Sequence, residues 1–434
     1  MNYEFMASKN FQFSIFNFQL IYTLALHLYA LSVEIMSFFK RKARMTRIGQ
    51  WYTNGILRKR IDRNAKYIWF HAASLGEFKQ GRPMMETIRK RFPDYKILLT
   101  FFSPSGYEVR KNYEGADVIC YLPFDTPFKV RKFINLANPY IAIFIKYEFW
   151  LNYLTELKKR NIKVYLISAV FRPNQLFFKW YGKWYRKALL CFETLFVQDE
   201  ASKQLLAEHG IVNVEVCGDT RFDRVLEIQH NARLLPEIEV FKKGHRRILI
   251  AGSTWQEDEE IIIPYINHHP DIKLIIAPHE IHRDHLLYIQ SLLNRRSVRL
   301  SEATEDMLQT HDCLIIDSFG LLSSIYRYGD VAYIGGGFGK GIHNTLEAAV
   351  YGIPVIFGPK YRKFKEAGRL LTCGGGFSVN NSASFSSCMD SLLTDAVLLQ
   401  SASAAAGDFV QNNAGATEKI LGLLKLQIET HNPL

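Results

Sequence analysis

The sequence lacks the closely spaced cysteines that mark zinc sites and redox-active thiol pairs. Its six cysteines are scattered with no Cys-x-x-Cys pair, which excludes a disulfide framework and indicates a reducing compartment. Acidic residues are also too few to balance the basic ones. The formal net charge of +12 therefore indicates an anionic partner such as nucleic acid, a phosphorylated substrate or an acidic membrane surface. A chain of 434 residues without an evident internal repeat predicts two globular domains with additional segments.

Two standard phosphate-binding motifs are missing from the most glycine-rich stretch, Gly335–Pro359. It has neither the GxxxxGK[ST] nor the GxGxxG spacing. An apolar strand pattern, Val331–Ile334, nevertheless leads into it, and Asn344 opens a helix pattern. This order predicts a loop whose backbone N–H groups face an anion, with Gly336 and Gly337 among the contacts. A tight turn in an α/β sheet is the alternative.

Charged residues are absent from Phe11–Val33, an apolar stretch long enough to cross a bilayer. A basic run follows, which begins with Lys40–Lys42 and continues to Lys66. By the positive-inside rule, this order predicts an N-terminal membrane anchor that holds the rest of the chain at the cytoplasmic face, against anionic lipid. A buried hydrophobic helix followed by a solvated basic segment is the alternative.

From Tyr67 onward, apolar strand patterns alternate with helix patterns, which predicts parallel sheets covered by helices on both faces. A polar break that contains Pro236 and Gly244 interrupts the alternation. The predicted division is therefore residues 1–47 for an anchor and basic collar, 48–228 for a first α/β domain, 229–245 for a linker and 246–434 for a second α/β domain.

Charged side chains follow several predicted strands of the first half. Glu77 comes after a strand and a tight turn, where a carboxylate can act as a general base; a first-turn glutamate favoured by the helix dipole is the alternative. Glu148 ends another strand, with a salt bridge to Lys146 or a neighbour as its alternative. Arg221 can bind a phosphate or pair with a nearby aspartate. Because ligands of open α/β sheets bind at strand ends, the joint placement predicts a site.

Polar residues also end the strands of the second half. Ser253 and Thr254 follow its first strand pattern and are candidate nucleotide contacts, although spacing alone favours capping of the following helix. Asn344 and Glu347 have the spacing of a capping box, which needs no ligand.

Three histidines, His279, His282 and His285, are spaced at i, i+3 and i+6. This spacing gives no settled ligand geometry, so the sequence predicts no metal site.

Aromatic and basic side chains alternate along Phe171–Lys187. The pattern suits an amphipathic helix on the domain surface, with lysines that extend to solvent. Docking of a phosphorylated lipid or a bilayer interface is an equal alternative, and the N-terminal anchor makes binding of single-stranded nucleic acid unattractive.

Six runs in the same order resemble the 3-deoxy-D-manno-octulosonic acid (Kdo) transferases of lipopolysaccharide synthesis. The resemblance covers nearly the whole chain, from the apolar N-terminus to about Phe377. The matching runs are His71–Glu77, Tyr121–Asp125, Glu148–Trp150, Gly218–Asp223, Gly252–Thr254 and Gly335–Glu347.

The resemblance implies a GT-B fold, in which two Rossmann-like domains face each other across a cleft. It also implies transfer of Kdo from CMP-Kdo to a hydroxyl of a lipid A precursor (lipid IVA), without a metal or cofactor, at the cytoplasmic face of the inner membrane. The acceptor domain would be the first and the CMP-Kdo domain the second. By the same resemblance Glu77 matches the catalytic base, and Glu148 and Arg221 match transition-state stabilisers. The implied CMP contacts are Pro278, His279, Phe319, Gly320, Leu321, Asn344, Thr345, Leu346 and Glu347.

Some positions depart from the family pattern. Lys146 stands where a glutamate is common, Arg221 where a lysine is common, Pro278 where an arginine is common and Ile342 where a glycine is common. Arginine keeps the charge of lysine but changes its geometry. Two other functions remain open: a GT-B transferase that uses a UDP-sugar on another lipid, and a membrane-tethered nucleotide-binding protein without catalysis.

Overall fold

The computed structural model describes residues 2–244 and 246–429, with the side chains of residues 20–244 and 246–424. The chain forms two units, the first made of Met1–Thr220 and Gly415–Leu434 and the second of Arg221–Ala414. Each unit is built on a parallel sheet of seven strands. The predicted doubly covered α/β class is confirmed, since both sheets carry helices.

The first sheet has the strand order β3-β2-β1-β4-β5-β6-β7. Its strands are β1 (Lys66–Ala72), β2 (Tyr95–Phe101), β3 (Val118–Tyr121), β4 (Pro139–Ile145), β5 (Lys163–Ala169), β6 (Thr194–Val197) and β7 (Val214–Val216). The helices are α1 (Asn2–Phe39), α2 (Arg41–Arg60), α3 (Leu75–Arg91), α4 (Pro104–Arg110), α5 (Pro127–Ala137), α6 (Leu151–Lys159) and α7 (Glu200–Ala207). The central strand β1 is buried along nearly its whole length, as a parallel strand covered on both faces must be.

The second sheet has the order β10-β11-β9-β8-β12-β13-β14. Its strands are β8 (Arg247–Thr254), β9 (Ile272–Pro278), β10 (Ser297–Arg299), β11 (Cys313–Ile315), β12 (Val331–Ile334), β13 (Val355–Phe357) and β14 (Gly376–Ser378). The helices that follow in this part of the chain are α8 (Thr220–His230), α9 (Pro236–Lys242), α10 (Gln256–His268), α11 (Arg283–Leu292), α12 (Glu305–Thr310), α13 (Leu322–Ile325), α14 (Leu346–Ala349), α15 (Lys365–Thr372), α16 (Ser382–Thr394) and α17 (Ala396–Gln411).

The last helix, α18 (Ala416–Glu429), belongs to the first unit and not to the second. Its residues Ile420, Leu421 and Leu424 are buried in one hydrophobic cluster with Phe78 of α3. At the surface, Arg91 donates two hydrogen bonds to the carboxylate of Glu418, at 2.7 and 2.6 Å. The predicted second domain, 246–434, therefore extends too far toward the C-terminus, because these apolar residues complete the first core.

The predicted linker, 229–245, is also largely part of the second unit. Within it, α9 places Ile238 and Phe241 in the core of that unit, with both side chains fully buried. The chain passes from one unit to the other at Thr220 and Arg221 instead. The segment was predicted as a linker because it is polar overall. Ile238 and Phe241, however, are three residues apart and therefore face the same side of a helix.

The N-terminal helix α1 is attached to the first unit along one side. Tyr22 donates a hydrogen bond to Asp125 at 2.7 Å, and Tyr29 packs edge-on against Phe124. Of the predicted apolar segment, the side chains of residues 11–19 lie outside the described residues. By length and composition, Leu20–Phe39 qualifies as a candidate membrane span, with 6% of it buried.

The aromatic and basic segment Phe171–Lys187 does not form the expected amphipathic α-helix. It folds into short 3-10 turns at Leu176–Phe178, Trp180–Gly182 and from Tyr185 onward. The backbone of Gly182 approaches the Leu176 carbonyl so closely that a Cβ would lie 1.8 Å from its oxygen. This close approach favours turns over a continuous helix. Trp180, in the middle of the segment, is 89% exposed.

Candidate active site

Glu77 occupies the third position of α3, at the carboxyl end of β1. Ser74 caps this helix, and both its backbone N–H and its hydroxyl donate hydrogen bonds to Oε2 of Glu77, at 2.7 and 3.0 Å. The expected first-turn role is therefore present as a capping box. The capping box uses only one oxygen of the carboxylate, because the described hydrogen bonds of Glu77 all go to Oε2.

The environment of Glu77 makes it a stronger proton acceptor than an ordinary glutamate. Burial raises the pKa of its carboxyl above the usual value, and the negative charge of Glu148 raises it further. The hydrogen bonds from Ser74 and the charge of His71 lower this pKa, but their effect is smaller. A general base works best when its pKa approaches the working pH, so the direction of this change suits proton abstraction.

Glu148 lies just beyond the carboxyl end of β4 and is 8% exposed. Its Oε2 accepts a hydrogen bond from Trp150 Nε1 at 2.7 Å and lies 3.0 Å from His71 Nε2. The salt bridge that is described for Glu148 joins it to His71. Lys146 itself adopts a left-handed backbone conformation, with φ of 72°, and its ammonium lies 5.9 Å from the Tyr147 ring centroid.

His71 and Trp150 are site residues that the sequence interpretation missed. His71 is fully buried, and its Nδ1 lies 2.9 Å from the hydroxyl of Thr100 on the neighbouring strand β2. That hydroxyl also accepts a hydrogen bond from Trp69 Nε1 at 2.8 Å. Both residues lie inside runs that match the Kdo transferase pattern. The signal in the sequence was a histidine on one apolar strand pattern and a glutamate at the end of another.

Arg221 lies in the first turn of α8 and belongs to the second unit. Its guanidinium donates two hydrogen bonds to Glu366 of α15, at 2.7 and 3.1 Å. The Glu366 side chain is 7% exposed, so little water can reach this carboxylate to replace the arginine as a hydrogen-bond donor. A bidentate pair fixes the plane of the guanidinium, which a lysine at this position would not permit.

A cavity of about 270 Å³ opens at the strand ends of the second unit. Several predicted nucleotide contacts line it together, although they come from four separate segments of the chain. These residues are Ser253, Pro278, His279, Phe319, Gly320 and Glu347. Ser253 has a φ of 54°, a left-handed conformation that is costly for a residue with a side chain and that clusters at functional sites.

Two of the remaining predicted contacts have internal roles. Thr254 donates a hydrogen bond to the buried carboxylate of Glu259 at 2.9 Å, and Leu346 is fully buried in the core. The hydroxyl of Thr345 is buried and has no partner among the described residues. Leu321 is absent from the described cavity lining.

The capping box at Asn344 and Glu347, which was the alternative to a nucleotide contact, does not form. Helix α14 begins at Leu346, with Thr345 in the capping position. Asn344 instead uses its side chain twice: its oxygen accepts from the Leu346 N–H at 3.3 Å, and its amide donates to Glu347 Oε1 at 3.0 Å. Glu347 is therefore held by a side chain while it lines the cavity, and it has no role as a backbone cap.

The glycine loop is packed against its own unit more tightly than expected. The N–H of Gly336 donates to the buried carboxylate of Asp258 at 2.7 Å, so this amide does not face a ligand anion. Gly336 has a φ of +89°, and a Cβ there would lie 2.5 Å from the Gly341 carbonyl oxygen. At Gly337 a Cβ would lie 2.6 Å from the Gly358 backbone. These glycines are required by backbone packing.

His279 is held in a stack of rings beside the cavity. Its ring lies 4.7 Å from that of Trp255 and 4.4 Å from that of His343, with interplanar angles of 26° and 27°. Trp255 also donates a hydrogen bond to His343 Nε2 at 3.1 Å. The stack fixes the orientation of the His279 imidazole at the cavity wall.

The other two histidines of the sequence pattern are engaged elsewhere. His282 lies 3.2 Å from Glu280, and His285 lies 2.9 Å from the buried Glu259. Within residues 20–244 and 246–424, no group of three or more His, Cys, Asp or Glu side chains is arranged to hold a metal ion.

Comparison with known proteins places these features in a family. Residues 43–224 match the family profile described as 3-deoxy-D-manno-octulosonic-acid transferase (kdotransferase). The chain is 29% identical over 385 residues to the 3-deoxy-D-manno-octulosonic acid transferase of Haemophilus influenzae, which covers 83% of this chain and 87% of the relative. It is 27% identical over 389 residues to the Chlamydia muridarum enzyme of the same name, which covers 86% of this chain and 89% of the relative.

Solved structures of other proteins have a similar fold. The crystal structure of a glycosyltransferase from Rickettsia africae superimposes with a TM-score of 0.54 at 15% sequence identity. The similarity covers 85% of this chain and 100% of the Rickettsia africae chain. At this identity the likeness shows the fold alone.

Proposed function

Because the chain belongs to the Kdo transferase family, we propose that it moves Kdo from CMP-Kdo to a hydroxyl of a lipid A precursor. The observation that carries this proposal is the pair of strand-end carboxylates, Glu77 and Glu148, in the unit that the family profile matches. A glutamate with a raised pKa beside a second, buried glutamate is suited to remove a proton from a hydroxyl at neutral pH.

In the proposed reaction Glu77 is the general base. The acceptor hydroxyl gives its proton to the Glu77 carboxylate, and its oxygen forms a bond to the anomeric carbon of Kdo. The bond from that carbon to the CMP phosphate oxygen breaks, and its electron pair leaves with CMP. Oε1 of Glu77 is the candidate acceptor atom, since Oε2 already accepts two hydrogen bonds from Ser74.

The second unit supplies the proposed donor site. The cavity lined by Pro278, His279 and Glu347 has polar groups from separate segments, as recognition of a nucleotide requires. Arg221 and Glu148 are the proposed stabilisers of charge in the transition state. The donor carries a single phosphate, so one guanidinium can neutralise much of the charge on the leaving group. We therefore propose a reaction without a metal ion or cofactor.

The first unit supplies the proposed membrane contact. Leu24, Leu28 and Leu31 of α1 are between 56% and 60% exposed, while Tyr22 on the same helix is bonded to the folded unit. A helix held along one side is suited to lie in the membrane interface with its apolar face toward lipid. We propose that this face holds the enzyme at the cytoplasmic side of the inner membrane, where the phosphorylated acceptor is embedded.

The proposal is tested with the full chain, CMP-Kdo and a tetraacylated lipid A precursor. Formation of a Kdo-lipid product by the wild type, and its loss in Glu77→Gln, is the expected result. Glu108→Gln, which changes a half-exposed glutamate of α4 that pairs with Lys111, is the matched control and should retain turnover. If the wild type binds CMP-Kdo but forms no Kdo-lipid, the proposed function is wrong. Thermal stabilisation by UDP and not by CMP would favour a UDP-sugar transferase instead.

A further inference from the structure

Two side chains, the buried His71 and the half-buried Trp150, meet at one oxygen atom of Glu148. Trp150 Nε1 lies 2.7 Å from Glu148 Oε2, His71 Nε2 lies 3.0 Å from the same atom, and the two nitrogens are 3.3 Å apart. The His71 side chain is 0% exposed and that of Glu148 is 9% exposed. The carboxylate is thus enclosed by donors, away from bulk water.

The hydrogen-bonding capacity of these groups assigns their protons. An indole nitrogen only donates, and an ionised carboxylate only accepts. Nε2 of His71 must therefore carry a hydrogen toward Glu148, because an unprotonated Nε2 would place two acceptors against each other. On the other side of the ring, Nδ1 is held by the Thr100 hydroxyl at 2.9 Å, which fixes the rotation of the imidazole.

We propose that His71 and Trp150 are positioning residues of the transfer reaction, which hold the Glu148 carboxylate in a single orientation beside Glu77. The inference rests on the proposed function, since it assigns Glu148 and Glu77 to the chemistry. It adds that the orientation of Glu148 depends on the buried imidazole of His71 and on the indole of Trp150. Both would act through Glu148 and not directly on the substrate.

The arrangement also connects His71 to the base. Two ionisable groups act on the pKa of Glu77: His71 at the end of β1 and Glu148 just after β4. The charge of Glu148 raises the pKa of Glu77, whereas His71 lowers it. Removal of these two neighbours should therefore shift the pKa of the base in opposite directions.

The test is the pH dependence of kcat/KM, whose acidic limb reports the base of the free enzyme. Glu148→Gln should move this limb to lower pH. His71→Gln, which keeps an N–H near the position of Nε2, should move it to higher pH. Trp150→Phe keeps the aromatic packing but removes the donor. It should lower kcat by roughly tenfold with little change in KM for CMP-Kdo, as expected for an interaction that matters in the transition state.

Trp69→Phe is the matched control, because it removes a buried indole N–H from Thr100 and leaves the contacts of Glu148 in place. Its acidic limb should coincide with that of the wild type even if its melting temperature falls. If His71→Gln and Trp150→Phe keep the wild-type limb and kcat while Glu148→Gln is impaired, the positioning proposal is wrong and the proposed function stands. If Glu77→Gln retains full turnover, it is instead the assignment of the base that fails.

Discussion

Arg221 and Glu366 form a bidentate ion pair, with donor–acceptor distances of 2.7 and 3.1 Å, in which the carboxylate is buried and the arginine is 30% exposed. The buried partner keeps the guanidinium plane fixed. This is the geometry that a phosphate-binding arginine needs before its ligand arrives.

Replacement of Arg221 by alanine should therefore lower kcat by roughly 10²–10³-fold, the usual cost of removing a group that stabilises transition-state charge. Glu366→Gln keeps the shape of the partner but loses its charge, and it should cost about tenfold. Initial rates with saturating CMP-Kdo measure both effects. Arg327→Ala, on the same unit, is the control. Equal rates for Arg221→Ala and this control would remove Arg221 from the mechanism.

Glu77→Gln should lose turnover by on the order of 10²–10⁴-fold, the contribution expected of a general base. Binding of CMP, measured by calorimetry, should be unchanged, because the cavity residues belong to the other unit. Glu77→Ala should also lose about 1 kcal/mol of unfolding free energy, since it abolishes the capping contacts with Ser74. Turnover of Glu77→Gln at the wild-type level would contradict the role of base.

Glu347→Gln should weaken CMP-Kdo binding with little change in melting temperature. The glutamine retains an oxygen that can accept the Asn344 amide, and Glu347 supports no backbone cap whose loss would destabilise α14. Calorimetric titration with CMP-Kdo and a thermal melt of the same sample provide the two readouts. A melting temperature that falls by several degrees while affinity is unchanged would show that Glu347 is structural.

Stability should depend on pH through Asp125. Burial raises the pKa of this carboxyl to about 7, although Tyr22 and the backbone N–H groups of Asn152 and Tyr153 donate hydrogen bonds to it. Between its ordinary pKa and this value, the folded state holds a proton that the unfolded state has released. Stability from this group is therefore fully present below about pH 4 and decreases as pH rises toward 7.

The measurement is urea denaturation of the wild type and Asp125→Asn between pH 5 and 8. The wild type should lose roughly 1.4 kcal/mol per pH unit through this group at the lower end of the range. Asp125→Asn should lack that component of the slope. Parallel curves for the two proteins would contradict the raised pKa.

Membrane attachment should depend on the outward face of α1. The triple substitution Leu24→Gln, Leu28→Gln and Leu31→Gln removes apolar side chains that are exposed, so folding should be retained while flotation with anionic vesicles is lost. The matched control replaces three other exposed apolar residues, Val212, Leu234 and Val397, by glutamine. Undiminished flotation of the α1 variant would assign attachment to the basic residues of α2 or to the exposed Trp180.

The sequence predicted the two parallel sheets because their buried strands are continuous apolar runs, such as Tyr67–Phe70, that only a doubly covered sheet uses. It also indicated the cavity at the strand ends, since residues that follow successive parallel strands collect at one edge. Glu77, Glu148 and Arg221 stay predictions in their catalytic roles.

Interactions between distant residues account for what the sequence did not predict. The contact between His71 and Glu148 joins two strands that are adjacent in space and far apart in the chain. The pairing of Arg221 with Glu366 spans an even larger separation. In Phe171–Lys187, the local aromatic pattern was typical of a helix, but the close approach of Gly182 to Leu176 was not readable from spacing.

Helix α18 has a consequence for biosynthesis. The first unit obtains Ile420, Leu421 and Leu424 from a segment that is translated after the whole of the second unit. Its core is therefore incomplete on the ribosome until all of Arg221–Ala414 has been made, whereas the second unit is encoded by one continuous segment and can fold as soon as that segment emerges. A premature stop codon after Ala414 would leave the first unit without part of its core, although every predicted active-site residue would already have been translated.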